Sequence, residues 1–293
     1  MIQAHPVLSS VPATTEGRWS RTRRRLAGDP VAVVAGAILL TLLMAALCAP
    51  WIAPYDPLDT NLRLRGGAPN AHHWLGTDEQ GRDILSRILY GSRMTVAISF
   101  TALLIGTLIG GATGILAAFY KRLENPLMRI VDVLLSFPAI LLGLAVVSIS
   151  GPGFTGIIIA LAAGTTPLVA RMARSVASTV VNQEYVTAGR AIGLTDGALI
   201  MRYVLRNCIP SILTYATLRF GQVIILAAAF SFLGLGVVPP APELGAMISQ
   251  GRSLIYHAPH VALVPGFVIL LLVLSLNLIG DALRDILDPK LSD

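Results

Sequence analysis

Only two lysines, Lys121 and Lys290, occur in the 293 residues. Neither follows the glycine pattern of a Walker A loop or precedes Ser or Thr, so ATP hydrolysis through a P-loop is excluded for this chain. The five histidines are scattered apart from the adjacent His72 and His73 and the nearby His257 and His260. Two histidines in a polar loop do not make a ligand set, and no metal site is predicted. No GxSxG motif and no paired-carboxylate site is found, which removes the usual hydrolytic chemistries. Cys48 and Cys208 lie far apart, so no disulfide framework is expected. The chemistry that remains is ion pairing and docking, concentrated in two segments.

The first segment pairs Asp78 with Arg82 and Asp83 with Arg87 at i, i+4, acid first, the better order on a helix. Thr77 or Asp78 is the expected cap, and Ile84, Leu85, Ile88 and Leu89 form an apolar stripe. The pattern predicts an amphipathic helix. It either lies at the outer membrane interface or docks an extracytoplasmic partner through Asp78, Arg82, Asp83 and Arg87, and the two readings are compatible. In the second segment Glu184, Tyr185 and Thr187 lead into small residues at Ala188, Gly189, Ala191 and Gly193, with Arg190 among them and Leu194 and Asp196 following. A short helix stopped at Gly193 is predicted, with a small-residue face suited to a partner's groove. The bland alternative is a helix resting on lipid.

Both segments must be carried by apolar helices. Hydrophobic residues make up 54% of the chain and charged residues 13%, with mean hydropathy +0.72. A soluble domain carries about 25% charge and could not cover so much apolar surface. Stretches free of Asp, Glu, Lys and Arg run 30–55, 94–120, 133–170, 220–242 and 253–280. The third is too long for one span of roughly 20 residues and is broken at Gly151-Pro152-Gly153. Six spans follow, at about 31–53, 95–119, 128–149, 155–175, 211–235 and 261–284. The fold class is an all-α polytopic membrane protein.

Gly106, Gly110 and Gly114 form a small-residue ladder for close helix packing. Pro138 and Pro167 should kink the third and fourth spans. A helix is expected from Glu243 to Tyr256.

Orientation follows from the basic residues. One side receives Arg18, Arg21, Arg23, Arg24 and Arg25, then Lys121, Arg122 and Arg129, then Arg171, Arg174, Arg190, Arg202, Arg206 and, at the loop's edge, Arg219, then Arg284 and Lys290. The other side receives Arg63, Arg65, Arg82, Arg87, Arg93 and Arg252, a split of 16 against 6 that puts both termini in the cytoplasm. Arg21 to Arg25 therefore anchor the first span to membrane lipid, and the net charge of +6 implies no nucleic acid. A cleavable signal over 18–50 is the rival reading of this end. The run is long for one, and Leu47 before Cys48 spoils a lipoprotein-type site, so a permanent helix is expected. Few ionisable residues are expected deep inside spans: Arg129, Asp132 and Asp281 lie near cytoplasmic ends, with Asp132 expected to pair locally with Arg129. An ion-coupled transporter needs more than this, so energy for transport should come from another chain.

Residues 184–196 resemble the cytoplasmic coupling loop of inner-membrane subunits of binding-protein-dependent ABC importers. Gly76-Thr77-Asp78-x-x-Gly81-Arg82-Asp83-x-x-Ser86-Arg87 is similar to the second permease subunit of dipeptide, oligopeptide and nickel importers. So are Phe232-Leu233-Gly234-Leu235-Gly236 with Pro239-Pro240, and Asn277 to Arg284 with Asp288-Pro289-Lys290. The resemblance spans about 30–290 and implies a type I ABC importer permease fold in a bacterial inner membrane.

It further implies a heterodimer with a homologous permease, two cytoplasmic ATP-binding subunits that hold the ATP and Mg, and an extracytoplasmic substrate-binding protein. Glu184 to Asp196 would form the coupling helix, and segments 55–93 and 236–260 would meet the binding protein or the partner permease. Thr187, Ala188 and Gly189 stand where the family has Glu-Ala-Ala, Leu205-Arg206 where Leu-Pro is common, and Leu244 where an aromatic often precedes Gly-x-Met. Peptides are the expected cargo, with nickel, glutathione, haem or another small solute as the alternative. The implied organisation is a tail 1–30, a first span 31–53, an outer segment 54–93, a five-helix core 94–284 containing the loop 176–210, and a tail 285–293.

Overall fold

A computed structural model describes residues 29–287, with side chains to 284. Arg18, Arg21, Arg23, Arg24 and Arg25, and the Asp288-Pro289-Lys290 ending, lie outside the described residues. Helix α1 spans Pro30–Leu47, started by the Asp29 carboxylate, which accepts from the Val31 amide at 2.9 Å. Cys48 ends it, and a separate turn, Ala49–Ile52, follows. The remaining long helices are α2 (Ile84–Phe119, 36 residues), α5 (Phe154–Val181), α7 (Asp196–Phe232) and α9 (His260–Leu287). With α1, these five are long and apolar enough to cross a membrane.

The expected third span is two helices. Helices α3 (Lys121–Ser136) and α4 (Ala139–Ser150) meet at a bend of 100°. The cause is local: Phe137 precedes a proline and takes an extended backbone, and Pro138, which has no amide hydrogen, is extended as well. Counting the bent pair as one span brings the candidate spans among the described residues to six. Pro167, by contrast, lies inside the continuous α5.

The α2–α5 contact is the most extensive in the molecule. A Cβ on Gly106 would lie 2.8 Å from the Thr165 Cβ, one on Gly110 2.9 Å from the Val169 Cβ, and one on Gly114 2.7 Å from the Ala173 Cβ. The ladder therefore brings two backbones together where lipid supplies no hydrophobic drive. Ile98, Leu103, Ile157, Leu161, Val223 and Phe230 fill the core between α2, α5 and α7. Asp132 does not pair with Arg129. Its carboxylate takes Arg171 of α5 at 2.5 Å, and Glu124 takes Arg174, so the polar helix α3 is tied to α5.

Residues 53–83 and 233–259 form a cap over the end of the bundle where α2 begins. Helix α8 (Leu244–Gly251) lies within it. Its cap residue Glu243 is buried, accepting from the amides of Gly245 and Ala246 at 3.1 and 2.8 Å and from the Thr95 hydroxyl at 2.8 Å.

Candidate functional site

Helix α6 (Glu184–Ala191) follows α5 after Asn182 and Gln183. Glu184 in its first turn and Arg190 in its last both suit the helix dipole. Its end is a Schellman turn. The Leu194 amide donates to the Gly189 carbonyl at 3.1 Å and the Gly193 amide to the Arg190 carbonyl at 3.0 Å, with Gly193 at φ +84°. Only glycine enters that left-handed region without strain. Thr195 then caps α7, its hydroxyl accepting from the Ala198 amide at 3.4 Å, with Asp196 in the first turn.

One face of α6 is held by the chain itself. Val186 is fully buried, and Gly189 sits against Leu199 and Leu194. Beneath them lie Phe119, Ala173, Ala177, Val204 and Cys208. The Arg190 guanidinium stands 5.0 Å from the Phe119 ring centroid, and the Tyr185 and Tyr203 rings are 5.9 Å apart. Glu184, Tyr185, Thr187, Ala188, Arg190, Gly193 and Asp196 are exposed, whereas Gly189 and Leu194 face the chain's own core. The predicted small-residue face is therefore split. Its outward half gains a residue that the sequence reading missed, Ile192, which is 77% exposed. Tyr185, Ala188 and Ile192 fall at i, i+3 and i+7, and that spacing was the available signal.

The charged segment behaves differently from its prediction. No helix starts at Thr77 or Asp78. Residues 78–83 form a turn closed by a bridge between Thr77 and Asp83, and Asp83 caps α2 by accepting from the Ser86 amide and hydroxyl at 2.8 and 2.9 Å. Arg82 Nε donates to Asp78 Oδ2 at 2.7 Å, the expected pair. Arg87, however, stands 3.2 Å from Asp78, while Asp83 accepts from His73 Nδ1 at 2.9 Å.

Both guanidinium groups also donate to Gln250 Oε1 of α8, at 3.1 and 3.4 Å, and Arg87 donates to the Pro57 carbonyl at 3.0 Å. Asp78, Arg82, Asp83 and Arg87 are all 0–4% exposed within the chain and brace the cap. Buried charges persist only when paired, and Asp78 supplies that pairing here, although Arg82 Nη1 and Arg87 Nε are left without a hydrogen bond. His260 is occupied too, donating to the Gly67 carbonyl at 3.1 Å.

Residues 106–293 match the family model of the binding-protein-dependent transport system inner membrane component. The chain belongs to that family of inner-membrane permeases. Residues 17–69 of the permease match the N-terminal transmembrane domain of oligopeptide transport permease C. It is 41% identical to a glutathione transport system permease protein of Pectobacterium atrosepticum over 295 residues, 99% of this chain and 97% of the relative. It is 39% identical to a dipeptide transport system permease protein of Alkalihalophilus pseudofirmus over 279 residues, 95% and 92% of the two chains.

Among solved structures, the permease is similar to a chain of the inward-facing MetNI methionine ABC transporter. The TM-score is 0.57 at 22% identity, over 69% of this chain and 97% of that one. At that identity the likeness concerns the fold: an ABC importer permease core. The family transports solutes and is not a class of catalytic enzymes.

Proposed function

We propose that this permease forms half of the translocation pathway of an ATP-driven importer of di- or oligopeptides. The other half is a homologous permease. Two cytoplasmic ATPase subunits supply ATP and Mg chemistry, and an extracytoplasmic binding protein delivers cargo. The observation that carries the coupling role is the exposed stripe Tyr185, Ala188 and Ile192, on a helix whose adjoining face is pinned by Val186 and Gly189. A docked helix transmits force only if its back is fixed, and this one is fixed to the ends of α2, α5 and α7. The 16-to-6 split of basic residues supports a cytoplasmic position for this loop and for both termini.

Glutathione is the second cargo reading, favoured by the 41% identity to a glutathione permease over nearly the whole chain. Affinity purification from the native membrane tests the machine. Recovery of a second permease, P-loop ATPases and a binding protein supports it, and the cargo of that binding protein separates the two readings. A chain recovered alone and active in liposomes without ATP overturns it in favour of a secondary transporter.

A further inference from the structure

Arg219 is the central residue of the 27-residue helical segment Arg206–Phe232 within α7. At about 1.5 Å per residue it lies roughly 20 Å from either end. It therefore lies deep within a membrane span, inside the expected 211–235, and not at the loop's edge where the tally of basic residues counted it. An arginine at such depth faces a protein interior or a water-filled cavity, because hydrocarbon offers it nothing.

Its partners among the described residues are neutral. Nε donates to the Tyr215 hydroxyl at 3.0 Å, Nη1 donates to Gln222 Oε1, and the guanidinium carbon stands 5.2 Å from the Tyr215 ring centroid. None of the described carboxylates forms a salt bridge with it. Tyr215, Arg219 and Gln222 fall at i, i+4 and i+7. Ile212, Ala216, Val223 and Ala227 on a neighbouring face are buried in the chain's core, whereas Gln222 is exposed.

The unused valences decide the chemistry. The Tyr215 oxygen already accepts, so its hydrogen is free to donate. Gln222 accepts through Oε1, so its amide NH2 is free to donate, as is Arg219 Nη2. Every group left over is a donor, around one positive charge. Such a cluster is complementary to a carboxylate. We propose that Arg219, with Tyr215 and Gln222, is the point in the translocation pathway that holds the carboxylate of a passing solute. The naming of a carboxylate rests on the peptide reading above, since peptides and glutathione all carry one.

The test uses the assembled complex with Cys48→Ser, Cys208→Ala and Gln222→Cys, probed by a sulfonate-bearing and an ammonium-bearing methanethiosulfonate reagent. The expected result is faster labelling by the sulfonate reagent, a preference abolished by Arg219→Gln and kept by Arg219→Lys. In the otherwise native complex, Arg219→Gln should lower free-acid dipeptide uptake about tenfold, as expected for loss of a charge-assisted hydrogen bond.

A residue 222 thiol inert to both reagents, or a preference that survives Arg219→Gln, overturns the proposal. So does loss of the partner permease from the Arg219→Gln complex, which would assign the charge to a carboxylate of that partner. A wild-type complex that imports no peptide but keeps the sulfonate preference overturns the peptide reading alone and upholds an anion-holding site.

Discussion

The Leu199 Cδ2 lies 2.8 Å from where a side chain on Gly189 would begin, so α6 rests on α7 through a position where even a methyl group would push the Leu199 side chain aside. The neighbour Ala188 points the other way, into solvent. The packing contact and the proposed docking role thus fall on two adjacent small residues.

Substituting them should separate the two roles. Ala188→Trp is expected to leave the amount and thermal stability of the membrane-inserted chain unchanged while abolishing co-purification of the ATPase and uptake. Gly189→Leu should instead loosen the loop, read as faster tryptic cleavage at Arg190. Normal ATPase recovery and uptake in Ala188→Trp would sink the docking role.

Asp78 is the one carboxylate shared by Arg82 and Arg87. Asp78→Asn leaves two buried guanidinium groups without an anion, and removing one member of a buried ionic set costs about 3–5 kcal/mol. Thermal unfolding of the detergent-solubilised chain should report a large loss. The double variant Asp78→Asn with Arg82→Gln should recover part of it.

Glu243→Ala removes three hydrogen bonds at the start of α8 and leaves two amides and the Thr95 hydroxyl without that acceptor. Loss of a helix cap costs about 1–2 kcal/mol. Hydrogen exchange at Gly245 and Ala246 should accelerate, with exchange in α6 unchanged.

Gly110→Leu should separate α2 from α5, because the Cβ alone already meets Val169. Disulfide cross-linking between cysteines placed at 107 and 166 is expected to fall in that variant. Unchanged cross-linking would show that the ladder does not set the helix separation.

His257→Ala with His260→Ala should leave nickel binding by the assembled complex unchanged, measured by equilibrium dialysis. His260 already spends a ring nitrogen on the Gly67 carbonyl, and His257 lies on the surface.

The spans were legible because lipid demands long runs without charge, and the Gly151-Pro152-Gly153 break was legible because it interrupts one. Helix α6 was legible from its glycine stop. Three features were hidden, each for a physical reason. A kink at Pro138 was expected, but its size, a 100° bend, depends on two successive extended residues, whereas Pro167 is carried within a helix, and composition does not distinguish them. The i, i+4 pairs looked helical, but Asp83 was more useful as a cap, which handed Arg87 to Asp78. Arg219 lies within the expected span 211–235, yet the tally of basic residues counted it at a loop's edge, because charges mark where spans end. That rule cannot see a charge inside one.

Helix α2 has 36 residues, which at about 1.5 Å each is roughly 54 Å, against about 30 Å of hydrocarbon. It is a mast taller than the deck it passes through. The buried ion network is rigged to its top and the glycine ladder seats its shaft against α5. A tilt of the shaft within the bilayer therefore swings the cap as one piece, magnified by the length standing clear of the lipid.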